Sequence, residues 1–93
     1  MFSIEIVGNE VLLSGRLDAS QTEKAKEVLD GLNDSAIVNF KNLDYISSAG
    51  LGILFATQKR LKAVGKSLKL SNMNQHIRDV FRYARFELVF EIE

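Results

Sequence analysis

Two adjacent hydroxyls, those of Ser47 and Ser48, lie in the one segment whose residue types and spacing could do chemistry, residues 42–52. A serine at the start of a helix accepts a hydrogen bond from a first-turn N–H, and the same N–H groups favour an anion. Gly50 and Gly52 each cost a helix interior roughly 1 kcal/mol relative to alanine, which suggests that another group approaches this backbone. The segment therefore indicates either an ordinary helix cap or a place where an anion or a partner meets a helix.

Other patterns of chemistry are missing from the chain. The spacings GxxxxGK[ST] and GxGxxG do not occur, so nucleotide binding at residues 48–52 is only weakly indicated. Ser48 lacks the Gly-x-Ser-x-Gly elbow, and His76, the single histidine, lies at an expected helix start with nothing to mark it as a base. The absence of cysteine excludes a thiol nucleophile, a disulfide and a Cys-based zinc site. We expect no enzyme activity, no metal and no cofactor.

The composition is that of one ordinary globular domain, residues 1–93, with 46% apolar residues. Twelve basic residues balance twelve acidic ones, which gives no bulk attraction to nucleic acid or anionic membranes. The N-terminus lacks the basic region of a signal peptide, and no apolar run approaches the roughly 18–20 residues that cross a bilayer. We expect a cytoplasmic protein without membrane insertion; monomer and weak dimer both stay open.

Turn residues and hydrophobic periodicity divide the first half of the chain. Residues 2–7 alternate apolar and polar, Gly8 and Asn9 form a two-residue turn, and residues 11–14 resume the alternation, which predicts a β-hairpin. Asp18 or Ser20 can cap a first helix that ends within residues 31–34. Residues 36–40 predict a short apolar strand followed by a polar turn. The inward face of the first helix is predicted to comprise Thr22, Ala25, Val28, Leu29 and Leu32.

The second half begins with the longest helix, opened by Ser47 and Ser48 and ended near Gly65. Residues 67–71 predict a strand, and residues 88–92 predict the last one. Ser71, Asn72 or Asn74 caps a third helix between them. The buried stripe of the long helix is predicted at Leu51, Leu54, Phe55, Gln58 and Leu61, and the inward face of the third helix at Ile77, Val80, Phe81 and Ala84.

Three arginines of the third helix, Arg78, Arg82 and Arg85, form a basic run. Asp79 and Glu87 dilute it. The sequence therefore favours a solvated helix face over a basic binding patch.

Alternating strands and helices predict an α/β fold with a mostly parallel sheet and an antiparallel N-terminal hairpin at its edge. A parallel sheet covered on both faces needs continuously apolar strands. Here every second strand residue is polar, so we expect the helices mainly on one face. The polar positions are Ser3, Glu5, Asn39, Lys41, Ser67, Lys69 and Ser71.

Residues 44–52, DYISSAGLG, resemble the signature of the STAS domain, specifically of bacterial anti-sigma factor antagonists, in which an Asp-Ser-Ser/Ala-Gly-Leu-Gly turn precedes the same helix. Residues 15–18, GRLD, are similar to that family's Gly-Glu-Leu-Asp, and residues 37–40, IVNF, resemble the strand before its motif. The resemblance extends over essentially the whole chain. It implies a β/α superhelix with the helices on one side of the sheet.

The resemblance also implies a function and partners. An anti-sigma factor antagonist of this kind is a phospho-switchable module that binds a serine-kinase anti-sigma factor when its serine is unmodified and releases the kinase when phosphorylated. A cognate serine phosphatase reverses the modification. Ser48 is the implied phosphoacceptor. The implied partner-binding residues are Asp18, Ser47, Ser48, Ala49, Gly50 and Leu51.

One residue departs from the family pattern. Ser47 stands where the family has an aspartate, which removes a negative charge and places two hydroxyls side by side. Ser47 is therefore a second candidate phosphoacceptor, and a protein that is never phosphorylated and works as a plain adaptor stays open. Asp18 likewise has two interpretations: a structural one, in which it caps a helix, and a functional one, in which it positions the Ser48 hydroxyl or binds the partner.

The resemblance leaves a second class of function open. STAS-like domains also serve as accessory subunits of membrane transport complexes that carry lipids or anions. Such a subunit would be a structural interaction module without phosphorylation.

Overall fold

Strands and helices alternate along the structure, a computed structural model that describes all residues from Met1 to Glu93. Two single-turn 3-10 helices occupy Ala19–Gln21 and Phe86–Leu88. The strands are β1 (Ser3–Val7), β2 (Glu10–Leu17), β3 (Ala36–Ile46), β4 (Leu68–Ser71) and β5 (Glu91–Ile92), and the helices are α1 (Thr22–Asp30), α2 (Ser48–Lys62) and α3 (Gln75–Tyr83).

The five strands form one sheet in the order β1-β2-β3-β4-β5. β1 and β2 are antiparallel, with Val7 opposite Glu10, and Gly8 has the positive φ of 62° that a tight hairpin turn requires. β2, β3, β4 and β5 are parallel neighbours, joined by the three helices. The predicted mostly parallel sheet with a hairpin edge is confirmed.

Burial along the strands shows which face the helices cover. In β3, Val38 and Phe40 are buried, whereas Asn39 between them is half-buried and Lys41 is exposed. The alternation continues in the flanking strands, where Leu13 and Leu70 are buried on the same side. The helices therefore lie mainly on one face and the other is open, as the polar alternation predicted. Ser71 is the exception among the predicted polar positions, because it is 6% exposed.

An aromatic cluster holds α3 and the C-terminal segment against the sheet. Phe81 of α3 meets Phe40 of β3 edge-on, with ring centroids 5.7 Å apart, and meets Phe90 at 5.9 Å. Phe86 stacks on Phe55 of α2 at 5.3 Å. Each such pair contributes about 0.5–1.5 kcal/mol beyond its buried area.

The long helix α2 is fixed by a buried polar side chain, Gln58, which is 2% exposed. Its Nε2 donates to the carbonyl of Val89 at 2.9 Å, and its Oε1 accepts from the N–H of Leu68 at 2.7 Å. Arg60 also donates to the carbonyl of Leu29 at the end of α1, at 2.9 Å. Because the amide of Gln58 both donates and accepts a hydrogen bond, sliding α2 along the sheet would leave buried polar groups unpaired. The N-terminus of α2 is thereby held in place.

The ends of the second and third helices follow their predicted chemistry. Gly65, with φ 78°, ends α2: its N–H donates to the carbonyl of Lys62, and the N–H of Lys66 donates to that of Leu61. Asn74 caps α3, because its side chain accepts from the N–H of Ile77 at 2.9 Å. Of the three candidates for this cap, Asn74 is the one the structure selects.

The predicted end of the third strand at residue 40 is wrong. β3 continues to Ile46, and the polar turn expected after Phe40 is part of the strand. The strand continues because β2 also extends to Leu17 and supplies parallel partners beyond the end of β4. The pairing of β2 with β3 shifts register twice, at Leu12/Ser14 and Gly15/Arg16, and at each shift β3 contains one residue more than β2.

Two predictions for the C-terminal part are also wrong. Residues 88–92 do not form one strand, because a 3-10 turn occupies Phe86–Leu88 and only Glu91–Ile92 pair with β4. Ala84 follows the last residue of α3 and is exposed, not inward. Ala84 is the C-cap of α3, and the next residue, Arg85, with φ 61°, turns the chain out of the helix.

Candidate partner-binding site

The carboxyl ends of β2 and β3 place the predicted site residues together. Leu17 and Ile46 are register partners at the end of the two strands, and both are buried. The N–H of Ser47 donates to the carbonyl of Leu17 at 2.9 Å. Asp18 and Ser47 therefore leave the sheet side by side from neighbouring strands, at the edge where ligands of parallel sheets bind.

Ser47, not Ser48, is the N-cap of α2. Its backbone is extended, with φ −88° and ψ 169°, and its Oγ accepts a hydrogen bond from the N–H of Gly50 at 3.2 Å. Ser48 is the first helical residue and is exposed. The sequence predicted that Ser47 and Ser48 together open the helix, and the expectation that the implied phosphoacceptor Ser48 is itself the cap is wrong. The cap hydroxyl, that of Ser47, is engaged in the fold, and the Ser48 hydroxyl makes no hydrogen bond within the chain.

The two glycines of the motif have different physical roles. A Cβ on Gly50 would lie 2.9 Å from both Cγ1 of Ile46 and Cγ of Leu17, so glycine lets the helix start sit directly on the strand ends. A Cβ on Gly52 would meet nothing within 4 Å, and Gly52 is exposed. The group that approaches the Gly50 backbone is therefore the protein's own core, whereas Gly52 faces solvent.

The remaining predicted contact residues divide in the same way. Ala49 is exposed, whereas Leu51 is 6% exposed and belongs to the core. Leu51 and Gly50 support the surface from beneath, and Ser48, Ala49 and Gly52 form it.

Asp18 acts as a cap, as one of its two interpretations held. Its Oδ1 accepts from the N–H of Ser20 at 3.0 Å and from the Ser20 hydroxyl at 2.6 Å, which starts the 3-10 helix before α1. These hydrogen bonds hold the pKa of the Asp18 carboxyl below its usual value, the Ser20 hydroxyl contributing most. Asp18 is ionised at neutral pH and presents a negative charge beside the start of α2.

A cation beside the site was missed at the sequence level. Arg16 lies over the ring of Tyr45, 4.3 Å from its centroid, and the two are register partners on the open face. Each precedes a buried strand-end residue by one position, which puts both on the opposite side of the sheet. In the sequence, the alternation of Arg16 with Leu17 and of Tyr45 with Ile46 indicates this pair. It could not be used without the extension of β3 past Phe40, because Tyr45 had been assigned to a turn.

A shallow apolar groove of about 230 Å³ runs between α1 and α2 next to the site. Ala49, Gly52, Ile53 and Ala56 line it from α2, and Lys26 lies on its α1 side. The small side chains leave the groove continuous with the surface at Ser48.

No group of three or more His, Cys, Asp and Glu side chains is arranged to hold a metal ion. None of the helices combines the length and the apolar composition that crossing a membrane demands.

Comparison with known proteins assigns the family. The profile of the family described as "Mlab, STAS domain" matches residues 2–90. The one-sided sheet and the DYISSAGLG segment at the start of α2 agree with this match. The chain belongs to the STAS domain family, and within it to the anti-sigma factor antagonist type.

Two curated relatives and one solved protein illustrate this assignment. The putative anti-sigma factor antagonist BtrV of Bordetella bronchiseptica is 32% identical over 82 residues, which cover 88% of this chain and 70% of that protein. The anti-sigma-B factor antagonist of Staphylococcus aureus is 34% identical over 77 residues, 77% of this chain and 70% of that protein. SpoIIAA of Bacillus, solved unphosphorylated and phosphorylated, has TM-scores of 0.73 and 0.72 at 24% identity, over 100% of this chain and 87% and 91% of those chains. At this identity SpoIIAA shows the shared fold.

Proposed function

We propose that the protein is an anti-sigma factor antagonist that binds a serine-kinase anti-sigma factor when Ser48 is unmodified and releases it when Ser48 is phosphorylated. The observation that carries this proposal is the division between the two serines: the Ser47 hydroxyl is held by Gly50, whereas that of Ser48 is exposed and unengaged. A kinase can reach Ser48 without opening the helix. A cytoplasmic location and a cognate serine phosphatase that restores the hydroxyl belong to the same proposal.

The surface offered to the partner is made of small side chains. Ser48, Ala49 and Gly52 are exposed on one side of α2, and the groove against α1 extends this surface. A flat patch without long side chains lets a partner's backbone or apolar side chains come close to the helix. Asp18 and Ser47 form its rim where the strands end.

Phosphorylation would change the charge of this surface without changing the fold. A phosphoserine adds about −1.5 to −2 charges and three acceptor oxygens. At the first helical residue it meets N–H groups that have no intrahelical acceptor, and the helix dipole contributes about 0.3–1 kcal/mol in its favour. A partner surface shaped for a neutral hydroxyl must instead desolvate a dianion, and each 1.4 kcal/mol of penalty weakens binding about tenfold.

The switch is tested by paired substitutions at Ser48. Ser48→Ala should keep binding to the candidate serine kinase from the same organism, and Ser48→Asp should weaken it by about tenfold or more, measured by calorimetric titration. Both variants should keep the amide spectrum of the parent chain away from residues 47–52. Equal binding by the two variants would sink the proposal.

The acceptor is tested by site mapping. Incubation with the kinase and ATP, followed by mass spectrometry, should place the phosphate on Ser48. Ser47→Ala should still be phosphorylated, whereas Ser48→Ala should not. Phosphate on Ser47 in the parent chain would contradict the assignment, because it requires the cap to be broken.

The alternative function is an unphosphorylated accessory subunit of a membrane transport complex for lipids or anions. The profile that matches residues 2–90 is described as "Mlab, STAS domain", which names the domain and no phosphorylated serine. Affinity purification from detergent-solubilised membranes separates the two: recovery of a permease complex, with no kinase and no phosphate on Ser48, would favour the subunit.

A further inference from the structure

The side of α2 that presents Ser48 continues to the other end of the helix. Ser48, Gly52, Phe55, Lys59 and Lys62 follow one another at intervals of three or four residues, which places them along one side of the helix. Phe55 is half-buried, and the other four residues are exposed. At a rise of about 1.5 Å per residue, the two lysines lie about 17 and 21 Å from Ser48 along the helix axis. We call these five residues the α2 stripe.

The α2 stripe carries positive charge that the fold does not neutralise. Residues 45–78 contain no acidic residue, so α2 has none along its whole length. Lys59 and Lys62 make no ion pair and no hydrogen bond within the chain. Lys66, just past the helix, is different, because its ammonium pairs with Asp34 at 3.4 Å. The two stripe lysines therefore present their full charge to solvent.

The helix dipole explains only part of this pattern. It favours cations in the last turn of a helix and acidic residues in the first turn. The last turn of α2 contains Lys59, Arg60 and Lys62, but its first turn contains no acidic residue. Like charges one turn apart, such as those of Lys59 and Lys62, also repel each other and destabilise a helix. A stripe without any acidic side chain is instead what a surface that meets negative charge requires.

Glu87 is the acidic residue that packing brings toward the middle of the α2 stripe, because the neighbouring Phe86 stacks on Phe55. Glu87 shares a concavity of about 250 Å³ with Arg82 and Arg85, and it pairs with neither stripe lysine. Its charge is therefore balanced by those two arginines, and the positive charge of the stripe is left uncompensated.

We propose that the whole α2 stripe is one docking face, and that the serine-kinase partner meets its lysine end with an acidic surface. This inference rests on the proposed function and adds the chemistry of the partner: carboxylates about 17–21 Å from the group that contacts Ser48. Charges at the rim of an interface act mainly on the association rate. Lys59 and Lys62 would therefore attract the partner, and the Ser48 end would decide whether the complex persists.

The test measures how fast the whole chain associates with the candidate serine kinase used for the Ser48 titrations, by stopped flow at about 0.05 M salt. Lys59→Glu and Lys62→Glu should each lower the association rate constant several-fold, and the double variant should lower it about tenfold. The matched control is Lys41→Glu, the same change of charge at an exposed residue on the open face, which should have little effect. At about 0.5 M salt, where the screening length is about 4 Å, all variants should associate as fast as the parent.

A neutral variant separates attraction from folding, because glutamate in the last turn opposes the helix dipole. The double substitution Lys59→Gln with Lys62→Gln should still slow association about threefold at low salt, while the melting temperature stays close to that of the parent. A loss of rate that persists at high salt would overturn the proposal, since it would be structural. So would an equal loss in Lys41→Glu, since it would report net charge alone.

The outcomes also separate this inference from the proposed function. Binding that responds to Ser48→Asp but not to the lysine substitutions would overturn the acidic partner surface and leave the switch intact. A parent chain that does not bind the kinase at all would overturn the proposed function, and this inference with it. Binding of phosphatidylglycerol vesicles by the parent but not by the double variant, with an unchanged kinase association rate, would show that the lysines meet a lipid surface instead.

Discussion

At the scale of single residues, two adjacent serines take different roles that their type alone could not assign. Serine is favoured at any helix cap, so residue type did not decide which of Ser47 and Ser48 caps α2. The deciding contact is the hydrogen bond from the Ser47 N–H to Leu17, which keeps Ser47 extended and delays the helix by one residue. That contact joins two strands, and no local pattern reports it.

This division predicts different effects on stability. Ser47→Ala should lower the free energy of unfolding by about 1 kcal/mol through loss of the cap, which lowers the melting temperature by about 4–8 °C in a domain of this size. Ser48→Ala should stay within about 0.5 kcal/mol of the parent, as exposed substitutions do. Urea unfolding measures both. Equal losses in the two variants would show that the Ser48 hydroxyl also has a structural role.

At the scale of elements, periodicity located α2 and its buried stripe correctly, because that stripe repeats over the whole helix. Leu51, Leu54, Gln58 and Leu61 are all buried, and Phe55 is half-buried. The extension of β3 was not predictable in the same way. Lys41, Asn42 and Asp44 have the types of turn residues, and only the matching extension of β2 with its register shifts makes them strand.

The junction between β3 and α2 predicts a contrast between its glycines. Gly50→Ala should destabilise the protein by about 1–3 kcal/mol, the cost of forcing a methyl group into packed side chains. Gly52→Ala should instead stabilise it by up to about 1 kcal/mol, because its Cβ has open space and alanine favours the helix. Thermal unfolding of the two variants distinguishes them. Destabilisation by Gly52→Ala would mean that its backbone is constrained by a contact absent from this structure.

At the scale of the whole molecule, the one-sided sheet was predictable because the strand pattern directly reports which face is wet. The C-terminal strand was not, although residues 88–92 have strand-forming types. Phe86 and Phe90 both enter the aromatic cluster around Phe81. In a single extended strand Phe86 and Phe90 would also share a face, but their side chains would lie far apart along it. The 3-10 turn shortens the chain between them, so that both rings pack against Phe81.

The open edge of the sheet predicts a change in assembly. β1 has no strand on its outer side, and Ile6 and Val7 are 43% and 56% exposed. Glu5 is the charge in the middle of this edge, a residue type that blocks edge-to-edge pairing. Glu5→Val should therefore cause association that increases with concentration, roughly to twice the parent mass or more, measured by sedimentation.

The matched control is Glu27→Val, the same substitution on the exposed side of α1. It should leave the sedimentation of the chain unchanged. Association of both variants to the same degree would mean that exposed valine, not the strand edge, is responsible.

If the surface around Ser48 binds partners as proposed, its small side chains also affect how quickly those partners can be exchanged. Ala49, Gly52 and Ala56 have no rotamers to lose when a surface closes over them, so docking there costs little conformational entropy. A smooth patch of this kind has few side-chain contacts that could distinguish one partner from another. Discrimination would then depend on the charged side chain fixed at its border, the Asp18 carboxylate, which the Ser20 N–H and hydroxyl hold in place. Rapid exchange of partners would then be due to the small side chains around Ser48, and selectivity to the charge at the edge of that surface.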